Sequence, residues 1–347
     1  MYQKFQDIVA AAQQRSPKRV IAIAAAADEK MVHVAKTVTD MELCDVILVG
    51  DEDVLDVLLA EQGLRPEAVT IVDEKNSDRL GLRAVELVSS GKADILVKGK
   101  MNTSDFLRAV LNKEVGLRTG RQLNVLTCYD VPTEPKLFFI TDGGMTVAPA
   151  LADKAEILHN AVPVLHHMGI AEPKIAILAA NEKPSPKMPA TMDAKALCEM
   201  AASGELPAGI YEGPIAFDVA MRPEAAAEKG ITSRVSGDVD LFLVPNIETG
   251  NCLGKKGFTC TRRSYKQGTL RQFGTNFHVF AWIVKKFHNL LQGFLGLILP
   301  GNILKCNSGL FLYIRLGAAF PNAHDATAAF VHAAHEEHKK HKQKHRR

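Results

Sequence analysis

Five short segments set cationic, hydroxyl and amide side chains beside glycine or proline, a combination that lets a backbone turn approach an anion while side chains neutralise it. In KGKMNTSDFLR (98–108), Thr103 or Ser104 is a natural helix N-cap and Arg108 follows about one turn in. Backbone N–H groups, the helix dipole and a guanidinium can converge there on a phosphate. Taken singly, the segment is equally an ordinary capped helix with a surface arginine. In GLRTGR (116–121), Arg118 and Arg121 stand among two glycines, so that Arg118 offers a planar fork to an anion. EKPSPKMPAT (182–191) is a proline-stiffened connection that carries Lys187 towards a helix capped by Thr191 or Asp193. EGPIAFD (212–218) is the fourth segment. The fifth, PNIETGN (245–251), puts Asn246, Glu248 and Asn251 straight after an apolar strand, more hydrogen-bonding capacity than a plain turn requires.

The elements that must position these loops alternate in type. Short β-branched runs at 20–25, 45–49, 69–72, 95–97, 124–128 and 137–140 are spaced to leave room for amphipathic helices at 30–40, 51–62 and 77–90. A second series follows, with strands at 174–179, 209–211 and 240–244 and helices at 193–202 and 222–229. Such alternation predicts an α/β fold with mostly parallel sheets, whose ligands bind beyond the carboxyl ends of the strands. The sequence DGGMTVAPA (142–150) has the glycine and proline of a hinge. It divides the chain into a first α/β lobe, 1–145, a second and incomplete lobe, 146–254, and an atypical tail, 255–347.

Composition narrows the function class. Of 347 residues, 47% are hydrophobic and 23% charged, with a mean hydropathy of −0.01, as in a soluble globular protein. Six scattered cysteines without a CxxC pair, and no basic start followed by a short apolar run, point to the reducing cytoplasm rather than to a zinc ribbon or a secreted disulfide framework. The apolar stretch 290–316 is broken by Pro300, Lys305 and several glycines, so no membrane span is expected. Walker A, GxGxxG, HExxH and GxSxG are absent, which removes local support for nucleotide hydrolysis, dinucleotide binding, zincin chemistry and the hydrolase elbow. The net charge of +3 conceals an asymmetry: residues 255–347 carry 16 Lys and Arg against Asp325, Glu336 and Glu337 alone.

Taken together, the ordered set KGKMNTSDFLR, NKEVGLRTG, KMPATMDAKAL, GPIAFDVA and KGITSRVSGDVDLFLVPNIETGN resembles the phosphate acetyl/butyryltransferase family over residues 1–255. The resemblance implies a two-lobed fold like that of isocitrate and isopropylmalate dehydrogenases, with the active site between the lobes. The implied reaction is butyryl-CoA + phosphate = butyryl phosphate + CoA, with acetyl as the alternative acyl group. Coenzyme A is then a substrate, no cofactor or metal is required, and the partners are acyl-CoA and phosphate, with no nucleic acid and no membrane, in a cytoplasmic homo-oligomer. Arg108 matches the family's arginine for phosphate or acyl phosphate. Thr103, Ser104 and Arg118 are its expected neighbours by position, and Asn246 and Asn251 fall in the family's PN(I/L)xxGN loop, where a cleft-facing hydrogen-bonding role is expected.

The pattern stops at Gly254. Family members continue through a helix and a strand to a Thr-Ser-Arg or Leu-Ser-Arg signature, with an acid a few residues on, which returns to the first lobe and supplies Ser, Arg and Asp for stabilisation and thiol deprotonation. After Gly254-Lys255 this chain has no Ser-Arg-x-x-Asp equivalent, so the resemblance assigns it no catalytic residue. A frameshifted reading of the coding sequence, a lineage-specific basic extension, and a nucleic-acid or metal function of HAAHEEHKKHKQKHRR (332–347) each account for the tail. The different-class alternatives are an inactive CoA-binding protein and a metal-dependent decarboxylating dehydrogenase of the same fold. The latter lacks support, because the helix near Glu224 offers no paired DxxxD spacing for a divalent ion.

Overall fold

A computed structural model describes residues 2–131 and 134–253, together with the backbone of Leu310–Leu312. The remainder of the tail, with its three readings, lies outside the described residues. Near-continuous Val, Ile, Leu and Ala runs form the inner strands of both sheets, buried on both faces, as parallel sheets flanked by helices require. The first sheet has the order β3-β2-β1-β4, all parallel, from β1 (Val20–Ala24), β2 (Asp45–Gly50), β3 (Thr70–Asp73) and β4 (Ile95–Lys98). Its helices are α1 (Phe5–Gln14), α2 (Glu29–Asp40), α3 (Glu52–Glu61), α4 (Leu80–Ser89) and α5 (Thr103–Val110).

The second sheet contains β5 (Asn124–Tyr129), β6 (Phe138–Thr141), β7 (Lys174–Leu178), β8 (Ile210–Ile215), β9 (Leu241–Leu243) and β10 (Leu310–Leu312), in the order β10-β5-β6-β9-β7-β8. Only the β5–β6 pair is antiparallel, so the amino end of β5 lies beside the carboxyl end of β6, with Leu126 opposite Thr141. The helices of this half are α6 (Leu151–His167), α7 (Pro189–Ala202), α8 (Phe217–Met221), α9 (Pro223–Glu228) and α10 (Ile247–Cys252).

Sheet membership changes between β4 and β5, upstream of the 142–150 hinge at which the sequence divides the lobes. The strands at 124–129 and 138–141 join the second sheet because β6 pairs in parallel with β9, Phe139 opposite Leu241. One apolar cluster runs through both halves: Phe5, Ile8 and Val9 of α1 and Leu55 and Leu59 of α3 share it with Leu126, Phe139 and the buried face of α6, Ile157, Leu158, Ala161, Val162 and Leu165. The sequence reading does not anticipate α1 or α6. In α6 the helical period is obscured by Pro163 and by Lys154 and Asn160, polar side chains buried in positions where an apolar residue is expected. On the outer face of the second sheet, Phe138 stacks on Tyr129 at 5.4 Å and meets Phe242 edge-on at 5.6 Å, which fixes the register of β5, β6 and β9.

Candidate active site

The carboxyl ends of β1 and β4 lie side by side, Ala24 opposite Lys98. Gly99 N–H donates to Ala24 O at 2.8 Å and Lys100 N–H to Ala25 O at 3.0 Å, clamping the turn onto the end of β1. A Cβ at position 99 would lie 2.3 Å from Ala24 O, so only glycine permits this approach. The cap of α5 differs from the expected one. Asn102, not Thr103 or Ser104, occupies the N-cap, and its amide donates to Asp105 Oδ2 at 3.2 Å, which leaves both hydroxyl residues exposed inside the first turn. Ser104 and Arg108, four apart, share one face of the helix, whereas Thr103 is turned about 140° from Arg108. Arg108 is 77% exposed and its Nη1 meets Asp105 Oδ1 at 2.8 Å. Leu117 N–H donates to Val110 O at 2.8 Å, folding the next loop back onto the end of α5 and leaving Arg118 exposed beside it.

A second group forms beyond β6 and β9. Asp142, 1% exposed, accepts from the backbone N–H groups of Gly144, Met145 and Thr146 and from the Thr146 hydroxyl, all at 3.0 Å. Against this turn packs α10. A Cβ on Gly250 would lie 2.3 Å from Gly143 Cα, and Asn251 Nδ2 donates to Gly143 O and to Ile247 O, each at 3.1 Å. Asn246 caps α10, its Oδ1 accepting from Thr249 N–H at 2.9 Å and the Thr249 hydroxyl at 2.7 Å. The amide of Asn251 thus ties two loops together, while the Nδ2 of Asn246 makes no hydrogen bond among the described residues and is a donor available to a ligand.

Beneath this turn lies a polar network that sequence reasoning missed. Gln122 Nε2 donates to the Thr146 hydroxyl at 3.1 Å; Asn160 Nδ2 donates to Gln122 O and Asn124 Oδ1, both at 2.8 Å; Asn124 Nδ2 donates to the Thr141 hydroxyl at 3.1 Å. The signal available for it was TDGGMT following directly on an apolar strand. The cap expected at Thr191 also differs. Met188 is the N-cap of α7, and Thr191 is buried, its hydroxyl donating to Met188 O at 2.7 Å and accepting from Ser185 N–H at 2.8 Å. Asp193 faces Lys154 of α6, whose buried ammonium lies 2.6 Å from Asp193 Oδ2 at the carboxyl ends of β7 and β9, in a crevice lined also by Leu178, Leu243 and Pro245.

The structure therefore brings Ser104 and Arg108 onto one face with Arg118 at the helix end, and separately brings Asn251 onto the 142–146 turn through α10, the helix that Asn246 caps. Among the described residues no hydrogen bond or ion pair joins the two groups directly. The 118–124 segment links them: Arg121 Nη1 reaches His159 O at 3.4 Å, and Gln122 holds Thr146. Cations and amide donors of this kind suit an anionic substrate. No group of three or more His, Cys, Asp or Glu among the described residues can hold a metal ion.

A family model described as "Phosphate acetyl/butaryl transferase" matches residues 4–83 and 81–263. A phosphate butyryltransferase of Clostridium acetobutylicum is 40% identical over 78% of this chain and 89% of its own length. A phosphate acetyltransferase of Rhizobium meliloti is 36% identical over 73% of this chain and 79% of its own. Among solved structures, a branched-chain phosphotransacylase from Enterococcus faecalis superposes with a TM-score of 0.59 and 29% identity, covering 68% of this chain and 82% of that one. With the family's loops standing at the carboxyl ends of the strands of both sheets, the chain belongs to the phosphate acetyl/butyryltransferase family.

Proposed function

We propose that this chain binds acyl-CoA and phosphate as a phosphate butyryltransferase does, and that its turnover is lost with the Ser-Arg-x-x-Asp segment. In the acyl-phosphate-forming direction, a phosphate oxygen attacks the thioester carbonyl, the C–O bond forms, the C–S bond breaks, and the phosphate proton passes to the departing CoA sulfur. That sequence needs cations on the phosphate, donors for the carbonyl oxygen as it gains charge, and a group to move the proton. Arg108 and Arg118 supply the first requirement, with the Ser104 hydroxyl on the Arg108 face as a further donor, and Asn246 Nδ2 supplies the second; Thr103, turned away from Arg108, stands outside this set. Butyryl is favoured over acetyl by the greater identity to the clostridial butyryl enzyme. The reading includes no resident cofactor, and it extends to a homo-oligomer in the cytoplasm. No helix among the described residues is long and apolar enough to cross a membrane.

The observation that carries this reading is the shared face of Ser104 and Arg108 at the carboxyl end of β4. Because Arg108 is exposed and held only by a neighbouring carboxylate, Arg108→Ala should leave folding within about 0.5 kcal/mol of the parent. Loss of a charge-assisted contact should weaken phosphate binding by about 2 kcal/mol, or about thirtyfold, measured by equilibrium dialysis on the full chain. A loss confined to CoA binding would remove Arg108 from the phosphate site.

A further inference from the structure

Lys98 is the last residue of β4, and side chains alternate along a strand, so Lys98 and Leu96 share a face. Leu96 packs in the cluster formed by Phe106 and Val110 of α5 and joined by Leu117. The stem of Lys98 therefore lies on the side of the sheet covered by α4 and α5, at the strand's carboxyl end. Arg108 sits on that helix, and Arg118 directly follows Leu117.

The counter-charges in this region are distributed unevenly. Lys100 Nζ is 3.1 Å from Asp28 Oδ2, and Arg108 meets Asp105. The half-buried ammonium of Lys98 has no carboxylate within ion-pair distance among the described residues and makes a single 3.3 Å hydrogen bond, to Gly99 O. Burial without a neighbouring acid pulls its pKa below the ordinary lysine value. Two more deeply buried lysines are paired, Lys154 with Asp193 and Lys136 with Asp240, each at 2.6 Å. Removing an ammonium from water is unfavourable unless an anion compensates it. At the end of β4 the arrangement leaves that anion to be supplied from outside.

We propose that Lys98 contacts a phosphoryl oxygen of the substrate from the carboxyl end of β4, a contact separate from the exposed Ser104 and Arg108 face of α5. This inference rests on the acyl-CoA and phosphate reading above. Phosphoryl oxygens can come from inorganic phosphate or from CoA, and the two are separated by titrating each alone.

The test uses the full chain, parent and Lys98→Met, with inorganic phosphate and CoA in separate calorimetric titrations, and a trace of amine-acetylating reagent to read the reactivity of Lys98 by mass spectrometry. Lys98→Met keeps the apolar stem and should weaken one of the two ligands by about tenfold, while Lys98→Arg should retain most of the affinity. In the parent chain the same ligand should protect Lys98 from acetylation, a readout independent of whether the variant folds. Unchanged affinity in Lys98→Met, or no protection of Lys98 by a ligand that binds, would overturn the proposal while leaving the acyltransferase reading in place. A parent chain that binds neither ligand would overturn both.

Discussion

Replacing Gly250 by alanine tests how closely the two loops of the second sheet are locked. The added Cβ would lie 2.3 Å from Gly143 Cα, 3.1 Å from Val244 Cγ2 and 3.2 Å from Gly143 N. Two of these three atoms belong to the facing backbone, so a side-chain rotation cannot relieve the contact. Carbon atoms in contact settle at about 3.5–4.0 Å, so α10 and the 142–146 turn must part by about 1 Å or more. Overpacking of this order costs about 1–3 kcal/mol, and separating the loops also removes the Asn251–Gly143 hydrogen bond, about 1 kcal/mol. The expected destabilisation is therefore about 2–4 kcal/mol, read as a lower urea midpoint at unchanged m-value. Asn251→Ala, which removes the hydrogen bonds to Gly143 O and Ile247 O without adding an atom, should cost only about 1–2 kcal/mol. Equal stability of Gly250→Ala and the parent would refute the close packing of these loops and, with it, the placement of α10 against the turn.

Asp193→Ala leaves the buried Lys154 ammonium without its partner and should destabilise the chain by about 3 kcal/mol or more, whereas Lys154→Met combined with Asp193→Ala should recover much of that loss; equal urea midpoints for the single and double variants would show that the pair is not coupled. At the opposite end of the second sheet, burial alone would raise the pKa of Asp238, but hydrogen bonds from Lys136 and Lys174 outweigh it and hold the group below its ordinary value of 3.8. A depressed folded-state pKa contributes stability that is present above the unfolded value and lost as pH falls through the folded one. The urea midpoint should therefore drop below about pH 4, with a smaller drop in Asp238→Asn and, because Asp238 is about half exposed, a smaller drop at high salt.

Most strands were legible because β-branched apolar runs of four to six residues have few alternatives. The strands at 20–24, 45–50 and 174–178 fall within a residue of their expected bounds. What escaped reading depends on contacts distant in sequence. The change of sheet between β4 and β5 is decided by the pairing of Phe139 with Leu241, about a hundred residues away, while the 142–150 segment has every local mark of a hinge. Likewise α6 buries Lys154 and Asn160 only because Asp193 and Asn124 receive them. Residue type and resemblance single out Thr103, Ser104, Arg108, Arg118, Asn246 and Asn251 as candidates for the site. Their division into an exposed cationic helix face and an interlocked pair of turns was not legible in the sequence, since it follows from the approach of Gly250 to Gly143 and of Leu117 to Val110.

The decisive quantity is the rate of CoA release from butyryl-CoA and phosphate, followed as free thiol, by the purified 347-residue chain and by a chimera. In the chimera, residues 255–347 are replaced with the carboxyl-terminal segment of the Clostridium acetobutylicum relative. The thiol of CoA has a pKa near that of free cysteine, about 8.5, and under the proposed function the group that moves its proton belongs to the segment this chain lacks. The native chain should bind CoA and phosphate and release no thiol above background, and the chimera should turn over butyryl-CoA. Full turnover by the 347-residue chain would show that residues outside the Ser-Arg-x-x-Asp segment move the thiol proton.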